Sequence, residues 1–262
     1  MRALLLAAAL IAGPAVAQDA PLRELSTDRP DKTESPITVD AGHVQVELDF
    51  ATYTHDRAGA VRTDELSVVP INLKYGIGRD TDVQVIVEPY LRATERVAGA
   101  RDRTDGFGDI TVRLKQNLWG NDGGKTALAL LPFVRLPTSR DGLGIDTVEF
   151  GLIVPLSIEL SDAVGVGVMT EIDRVERADG AGHTAKFINS ATASFALTDK
   201  LNLYTELYTE RAARGGAGWI VTGDTGLTYA LSDDVQLDAG TNIGLTRAAD
   251  DVQLFVGLSR RF

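Results

Sequence analysis

The sequence contains no cysteine, only three histidines, and no long apolar run after its first residues. Without cysteine it has no disulfide framework, no thiolate zinc site and no cysteine nucleophile. Its 37 acidic side chains outnumber the 26 basic ones, and no basic cluster suited to nucleic-acid phosphates stands out. The 44% hydrophobic content is too high for a disordered chain. These absences exclude disulfide-rich, nucleic-acid-binding and disordered proteins.

The common catalytic and metal-binding motifs are also missing. The histidines His43, His55 and His183 form no His-Glu-x-x-His pattern, and no Gly-x-Ser-x-Gly elbow occurs. The nearest phosphate-loop candidate is Gly124-Lys125-Thr126, but Trp119 stands where its first glycine should be. We therefore predict that the protein is not an enzyme and has no cofactor and no metal site.

The amino terminus has the three parts of a secretory signal peptide. Arg2 gives the positive start, residues 3–12 are apolar, and Ala15-Val16-Ala17 is a small-residue cleavage site. The apolar run is well short of the ~20 residues that a transmembrane helix needs. We therefore predict export and removal of residues 1–17.

From His43 to the end of the chain, apolar and polar residues alternate. A period of two is typical of β-strands, because successive side chains point to opposite faces. Twelve segments show it: residues 43–54, 66–76, 81–92, 109–119, 125–136, 147–160, 163–173, 184–197, 200–211, 218–231, 234–246 and 251–262.

Short turns of Gly, Asn, Asp and Ser alternate with longer links between these segments. The longer links are residues 55–65, 93–108, 137–146, 174–183 and 212–217. Alternating short and long connections between strands of about 9–11 residues are typical of outer-membrane barrels. We predict an all-β fold, a single antiparallel transmembrane β-barrel of about 12 strands over residues 43–262, with both termini periplasmic.

The polar face of the strands must point inward, since charged side chains facing lipid are costly. The charged residues predicted to line the lumen are Glu47, Asp49, Glu88, Arg92, Arg113, Lys115, Arg135, Glu149, Glu171, Asp173, Glu206 and Asp238. The apolar residues predicted on the same face are Ile86, Tyr90, Leu131, Phe133 and Ile153. Such charges either tune the passage of a solute or pair with one another and stiffen the barrel. The parity of strands 66–76 and 125–136 stays open, and a bulge is one explanation for the first.

Several motifs resemble those of a known family. Thr27-Asp28-Arg29-Pro30-Asp31, Glu34-Ser35-Pro36 and Gly42-His43-Val44-Gln45-Val46-Glu47 resemble the opening of the transporter family called "putative MetA-pathway of phenol degradation". The carboxyl-terminal Phe262 resembles the signal that the barrel-assembly machinery recognises. The resemblance implies a bacterial outer-membrane β-barrel linked to aromatic degradation, but no ligand residues carry over.

The expected function is an outer-membrane channel or transporter for a small solute, with hydrophobic or aromatic compounds among the candidates. Residues 18–42 are polar and form either a periplasmic segment or a plug in the lumen. One alternative is a structural or surface-binding barrel that works through loops 93–108 and 137–146. Another is an outer-membrane lipid-modifying enzyme. The expected partners are outer-membrane lipid, the assembly machinery and the solute.

Overall fold

The computed structural model describes residues 22–216 and 218–262. The predicted signal peptide, residues 1–17, lies outside the described residues. The regular elements of the described chain are all strands. Within the described residues, no helix is long and apolar enough to cross a membrane.

Fifteen strands are present in the described residues. They are β1 (Val44–Ala58), β2 (Val61–Val68), β3 (Ile71–Gly78), β4 (Thr81–Val87), β5 (Tyr90–Val97), β6 (Ala100–Gly106), β7 (Ile110–Trp119), β8 (Thr126–Leu136), β9 (Glu149–Ser161), β10 (Val164–Glu176), β11 (His183–Ala196), β12 (Leu201–Ala212), β13 (Ile220–Ser232), β14 (Val235–Gly244) and β15 (Val252–Arg261). Neighbouring strands pair antiparallel, and β15 pairs with β1, so the sheet closes into a barrel.

The 15 strands correspond to the predicted 12, because three of the 12 strands that form the wall are each interrupted and so divided into two shorter strands. The pairs β2–β3, β4–β5 and β6–β7 are separated by Val69-Pro70, Glu88-Pro89 and residues 107–109. Proline lacks the N–H that a strand ladder needs, and Val69 has a left-handed φ of 56°. The change of phase predicted as a bulge is thus an interruption of the strand at Val69.

Two of the predicted long loops are in fact strands. Residues 55–65 and 93–108 fall largely within the β1–β2 and β5–β6 hairpins, which turn at Gly59-Ala60 and Ala98-Gly99. Their sequences have polar residues on both faces, which removes the alternation by which strands are recognised. Together, residues 51–68 and 90–106 form a four-stranded extension of the wall, which we call the projecting sheet.

The two faces of the barrel have opposite polarity. Large apolar side chains such as Phe150, Leu207 and Leu254 are about half exposed on the outside. Lys74 and Glu47 on the inside are 2% and 1% exposed. A soluble protein has the reverse arrangement, with apolar side chains inside and charged ones outside. Apolar side chains on the outside are typical of a barrel wall that faces lipid. We call the end of the barrel that carries Phe262 and the short turns the terminal rim, and the other end the distal rim.

Candidate functional site

Residues 22–42, the inner segment, lie within the barrel. The segment starts at the terminal rim, where Arg23 Nε lies 3.1 Å from Asp40 Oδ1 of its returning arm. The returning arm is fixed by Arg261 of β15, whose guanidinium lies 3.0 Å from Asp40, and by a bond of 2.8 Å from Gly42 N to Gly76 O. Residues 29–34 form the turn between the two arms and reach furthest into the lumen.

One wall of the lumen holds the segment through lysines. Lys115 Nζ on β7 lies 2.6 Å from Asp28 Oδ1, and Lys74 Nζ on β3 donates to both Asp28 and Glu47. Both lysine side chains are at most 2% exposed. Burial by itself would raise the pKa of Asp28, but the charges of Lys115 and Lys74 outweigh burial and hold this pKa well below its usual range.

The part of the wall formed by β13, β14 and β1 holds the segment through carboxylates. Arg29 Nη2 lies 2.6 Å from Asp238 Oδ1 on β14 and also pairs with Asp49 on β1. Lys32 Nζ lies 3.2 Å from Asp224 Oδ2 on β13. Burial opposes the charge of Arg29, but the two carboxylates raise its pKa above the ordinary value. The segment therefore presents acids to the basic wall and bases to the acidic wall.

The turn of the segment bridges opposite sides of the barrel. The backbone N–H groups of Lys32 and Thr33 each donate to Glu206 on β12 at 2.8 Å. The hydroxyls of Thr33 and Ser190, on β11, are 2.6 Å apart. Across the lumen, Arg113 of β7 pairs with Glu34. These contacts place residues 32–34 across the lumen.

A cavity lies on each side of this turn. The first has about 730 Å³, opens near the terminal rim, and is lined by the segment and by β8–β13 residues such as Glu159 and Tyr204. The second has about 360 Å³ and lies toward the distal rim, between β4, β7–β11 and the segment. Glu34 lines both cavities. The inner segment therefore separates two chambers of one lumen.

The second cavity combines an apolar strip with an excess of acids. Ile86, Phe133 and Ile153 provide the apolar strip. Ile153 also belongs to an apolar cluster of the inner wall that includes Leu131 and Met169, and Phe133 packs against this cluster.

Three basic side chains line the second cavity, and each has a carboxylate partner. Arg113 pairs with Glu34, Arg135 lies 2.9 Å from Asp109, and Lys186 lies 3.3 Å from Asp173. Three more carboxylates of the lining have no basic partner among the described residues. They are Glu88, Glu149 and Glu171. The cavity is therefore net acidic.

The predicted lumen residues fall into three groups. Six of them surround the inner segment or contact it: Glu47, Asp49, Arg113, Lys115, Glu206 and Asp238. The second cavity is lined by Ile86, Glu88, Arg113, Phe133, Arg135, Glu149, Ile153, Glu171 and Asp173, and Leu131 lies in the adjoining cluster. Tyr90 and Arg92 form the third group, which lies elsewhere.

The structure places Tyr90 and Arg92 on the outer face, contrary to the prediction. Arg92 lies opposite Leu66, which lies opposite Tyr53, which in turn lies opposite the lipid-facing Leu254. Directly opposed residues in a sheet share a face. The interruption at Glu88-Pro89 shifts the inside–outside alternation of side chains by one residue. A prediction that continues the alternation of β4 into β5 therefore assigns Tyr90 and Arg92 to the wrong face.

Sequence reasoning did not identify the segment residues that complete the site. Asp28, Arg29, Lys32 and Glu34 stand close together in sequence, yet their ion-pair partners lie 20 or more residues away, on the five strands β1, β3, β7, β13 and β14. The one available signal was the mixture of both charges in a short polar stretch. Phe262 closes the barrel by donating its N–H to Val44 O at 2.7 Å. In the part of the chain that the structure describes, no cluster of His, Asp and Glu is arranged to hold a metal.

The environment of Asp31 predicts that the seating of the segment depends on pH. Burial, together with the nearby carboxylates of Glu206 and Glu34, raises the pKa of Asp31 from 3.8 to about 8. The seated segment therefore binds a proton that a released segment gives up, and rising pH favours release. We expect the fraction of released segment, read out as conductance through the lumen, to rise as the pH increases from about 4 to about 8 and to level off above that.

The Asp31→Asn variant should lose part of this pH dependence, because the amide cannot ionise. The remainder comes from Glu34 of the same turn, since burial raises the pKa of this carboxyl to about 7. Single-channel recording across the pH range measures the effect, with Asp141→Asn in an exposed loop as the control. An unchanged pH profile in Asp31→Asn would contradict the assignment.

Solved structures with similar architecture are β-barrels. The β-domain of the Bordetella autotransporter BrkA aligns with a TM-score of 0.55 at 14% identity, over 85% of this chain and 100% of that one. The translocator domain of the autotransporter NalP from Neisseria meningitidis aligns with a TM-score of 0.50 at 14% identity, over 84% and 88%. The KdgM porin in complex with oligogalacturonate aligns with a TM-score of 0.50 at 7% identity, over 84% and 99%. Similarity at such identities shows the shared fold alone.

The sequence comparison is more specific. No curated protein is significantly similar to the chain. The model of one family, described as "Putative MetA-pathway of phenol degradation", matches residues 27–262, a span that includes most of the inner segment and the whole barrel. The resemblance of the opening motifs is thereby confirmed, and the chain belongs to this family.

Proposed function

We propose that this protein is an outer-membrane channel for small aromatic solutes that carry a hydrogen-bond donor, closed by its own inner segment. The observation that carries the proposal is a lumen divided by a segment whose charges complement both walls, with a solute-sized cavity on the distal side. The channel does no chemistry on its solute. We expect the terminal rim, which carries the short turns, to face the periplasm, as in other outer-membrane barrels. The signal peptide is removed, and the barrel-assembly machinery inserts the barrel.

The entrance from the distal rim favours cations and neutral molecules over anions. On the lumen side of the projecting sheet, the register brings Asp56, Glu65, Glu95 and Asp102 to one face, and this face has no basic residue. An acidic surface at the mouth of a pore raises the local concentration of cations and repels anions. The second cavity continues the same polarity inward through Glu88 and Glu149.

The chemistry of the second cavity suits an aromatic ring with a donor group. Ile86, Phe133 and Ile153 offer an apolar surface for a ring, and ligand pockets commonly combine such surfaces with a few polar groups. The carboxylates of Glu88 and Glu149 line the cavity and have no basic partner among the described residues. A phenol hydroxyl or an amine would donate to their oxygens. This class includes the phenol of the family's description.

Binding of solutes to the complete chain tests the proposal, because the second cavity lies on the distal side of the seated segment. We expect phenol and benzylamine to bind in saturation-transfer NMR about tenfold more tightly than benzoate, since a carboxylate would face unpaired carboxylates. The Glu88→Gln/Glu149→Gln variant should reduce this difference in affinity between phenol and benzoate. Glu159→Gln, which changes a carboxylate of the first cavity, should leave it unchanged.

Benzoate binding as tightly as phenol in the unmodified chain would contradict the proposed solute class. If Glu159→Gln reduced the affinity difference between phenol and benzoate as much as the second-cavity variant does, the discrimination would arise from the overall charge of the lumen and not from the second cavity.

A further inference from the structure

Four arginines form a straight row across the projecting sheet. Arg57 on β1 lies directly opposite Arg62 on β2, Arg62 lies opposite Arg96 on β5, and Arg96 lies opposite Arg101 on β6. The row faces outward, because it has the parity of Tyr53, which pairs with the lipid-facing Leu254. Like charges directly opposite each other on neighbouring strands repel, so such a row needs negative charge nearby.

The protein supplies little of that negative charge. Asp64, two residues along the same face, pairs with Arg62 at 3.3 Å and also with Arg96. Arg57 and Arg101 are exposed, and neither forms an ion pair with the residues that the structure describes. The acids of the sheet are mostly on its lumen face, as described above. The projecting sheet is thus positive outside and negative inside.

The height of the row matches the polar boundary of a membrane. Tyr53 and Leu254 are 37% and 50% exposed on the outer surface and mark the upper part of the apolar face. Arg57 follows Tyr53 by four residues, or roughly 13 Å along the strand. The arginines therefore stand just above the lipid-facing apolar surface, where headgroups of the surrounding leaflet lie.

We propose that the row of Arg57, Arg62, Arg96 and Arg101 binds the phosphate groups of the glycolipid that forms the outer leaflet of the outer membrane. Guanidinium groups bind phosphate oxygens through two parallel hydrogen bonds, and a row of them offers several such forks at the strand spacing of about 4.8 Å. Phosphates between neighbouring arginines would replace their mutual repulsion by attraction. The inference rests on the distal rim being the outer one, as in the proposed function, and uses no residue of the lumen.

Native mass spectrometry of the refolded chain in neutral detergent tests this inference with bisphosphorylated lipid A as the probe. The Arg57→Gln/Arg101→Gln variant removes the two arginines that have no carboxylate partner, so its fold should be unaffected. We expect its affinity for lipid A to fall by about tenfold or more. Lys200→Gln/Arg260→Gln removes two exposed charges at the terminal rim and should retain the original affinity. Lipid A without phosphates should bind weakly to all three proteins.

Equal lipid A binding by Arg57→Gln/Arg101→Gln and the unmodified chain would overturn the inference, as would an equal loss in the terminal-rim control. Strong binding of the phosphate-free lipid would overturn it too. Solute binding measured on the same proteins separates the two proposals, because loss of phenol discrimination with intact lipid A binding contradicts only the proposed function.

Discussion

A barrel that begins at His43 is expected to conduct steadily, whereas the complete chain should open rarely. The inner segment is held by buried ion pairs on both walls, notably Asp28 with Lys74 and Lys115, and Arg29 with Asp49 and Asp238. Breaking one buried pair costs about 3–5 kcal/mol, so the closed state should dominate by a factor of at least a hundred. Removing the segment should therefore raise the open probability by roughly a hundredfold or more.

The shortened barrel should still fold, since the strand ladder and the closing β1–β15 pair do not involve residues before Val44. Lys74 keeps Glu47 as a partner, and water would enter the vacated lumen. Planar-bilayer recordings compare the two chains, with a chain beginning at Leu22 as the control that retains the segment. Identical conductance from the chains beginning at Leu22 and His43, both shown to be folded by heat-modifiable mobility, would contradict closure by the segment.

The barrel could be predicted from sequence because its pattern is local. The strands from β9 to β15 alternate over most of their length, and the turns of Gly, Asn, Asp and Ser between strands set the count at twelve. The lipid-facing and lumen-facing sides followed from the same alternation, since charge is excluded from the lipid side. These signals are contained within about ten residues each, so no knowledge of distant contacts was needed.

The prediction failed where the alternation is interrupted or absent. Pro70 and Pro89 break the strands, and a parity count carried across Pro89 placed Tyr90 and Arg92 inside the lumen instead of outside. The hairpins at Gly59 and Ala98 stand above the apolar part of the wall, so neither face has to be apolar. Their sequences therefore looked like solvated loops.

The site itself depends on contacts that no local pattern encodes. Arg29 and Asp238 are separated by 209 residues, and Lys32 and Thr222 by 190. The sequence predicted that wall charges would either pair or act on a solute. In the structure many of them pair with charges of the inner segment, a third possibility that becomes visible only when the segment is placed within the barrel.

Locking the segment to the wall should abolish conductance. The hydroxyl oxygens of Thr33 and Ser190 are 2.6 Å apart, so cysteine side chains at these two positions would meet. The chain has no natural cysteine, so Thr33→Cys/Ser190→Cys introduces a single possible bridge. The bridge fixes the turn of the segment to β11 without altering either wall's charged residues.

Single-channel recording of this double variant, before and after addition of a reductant, tests most directly whether the inner segment must move for the channel to open. The oxidised protein should show no channel openings, and reduction should restore them. The two single-cysteine variants should show the same openings before and after addition of the reductant. Conductance of the oxidised protein equal to that of the reduced protein would contradict the segment's role as the gate.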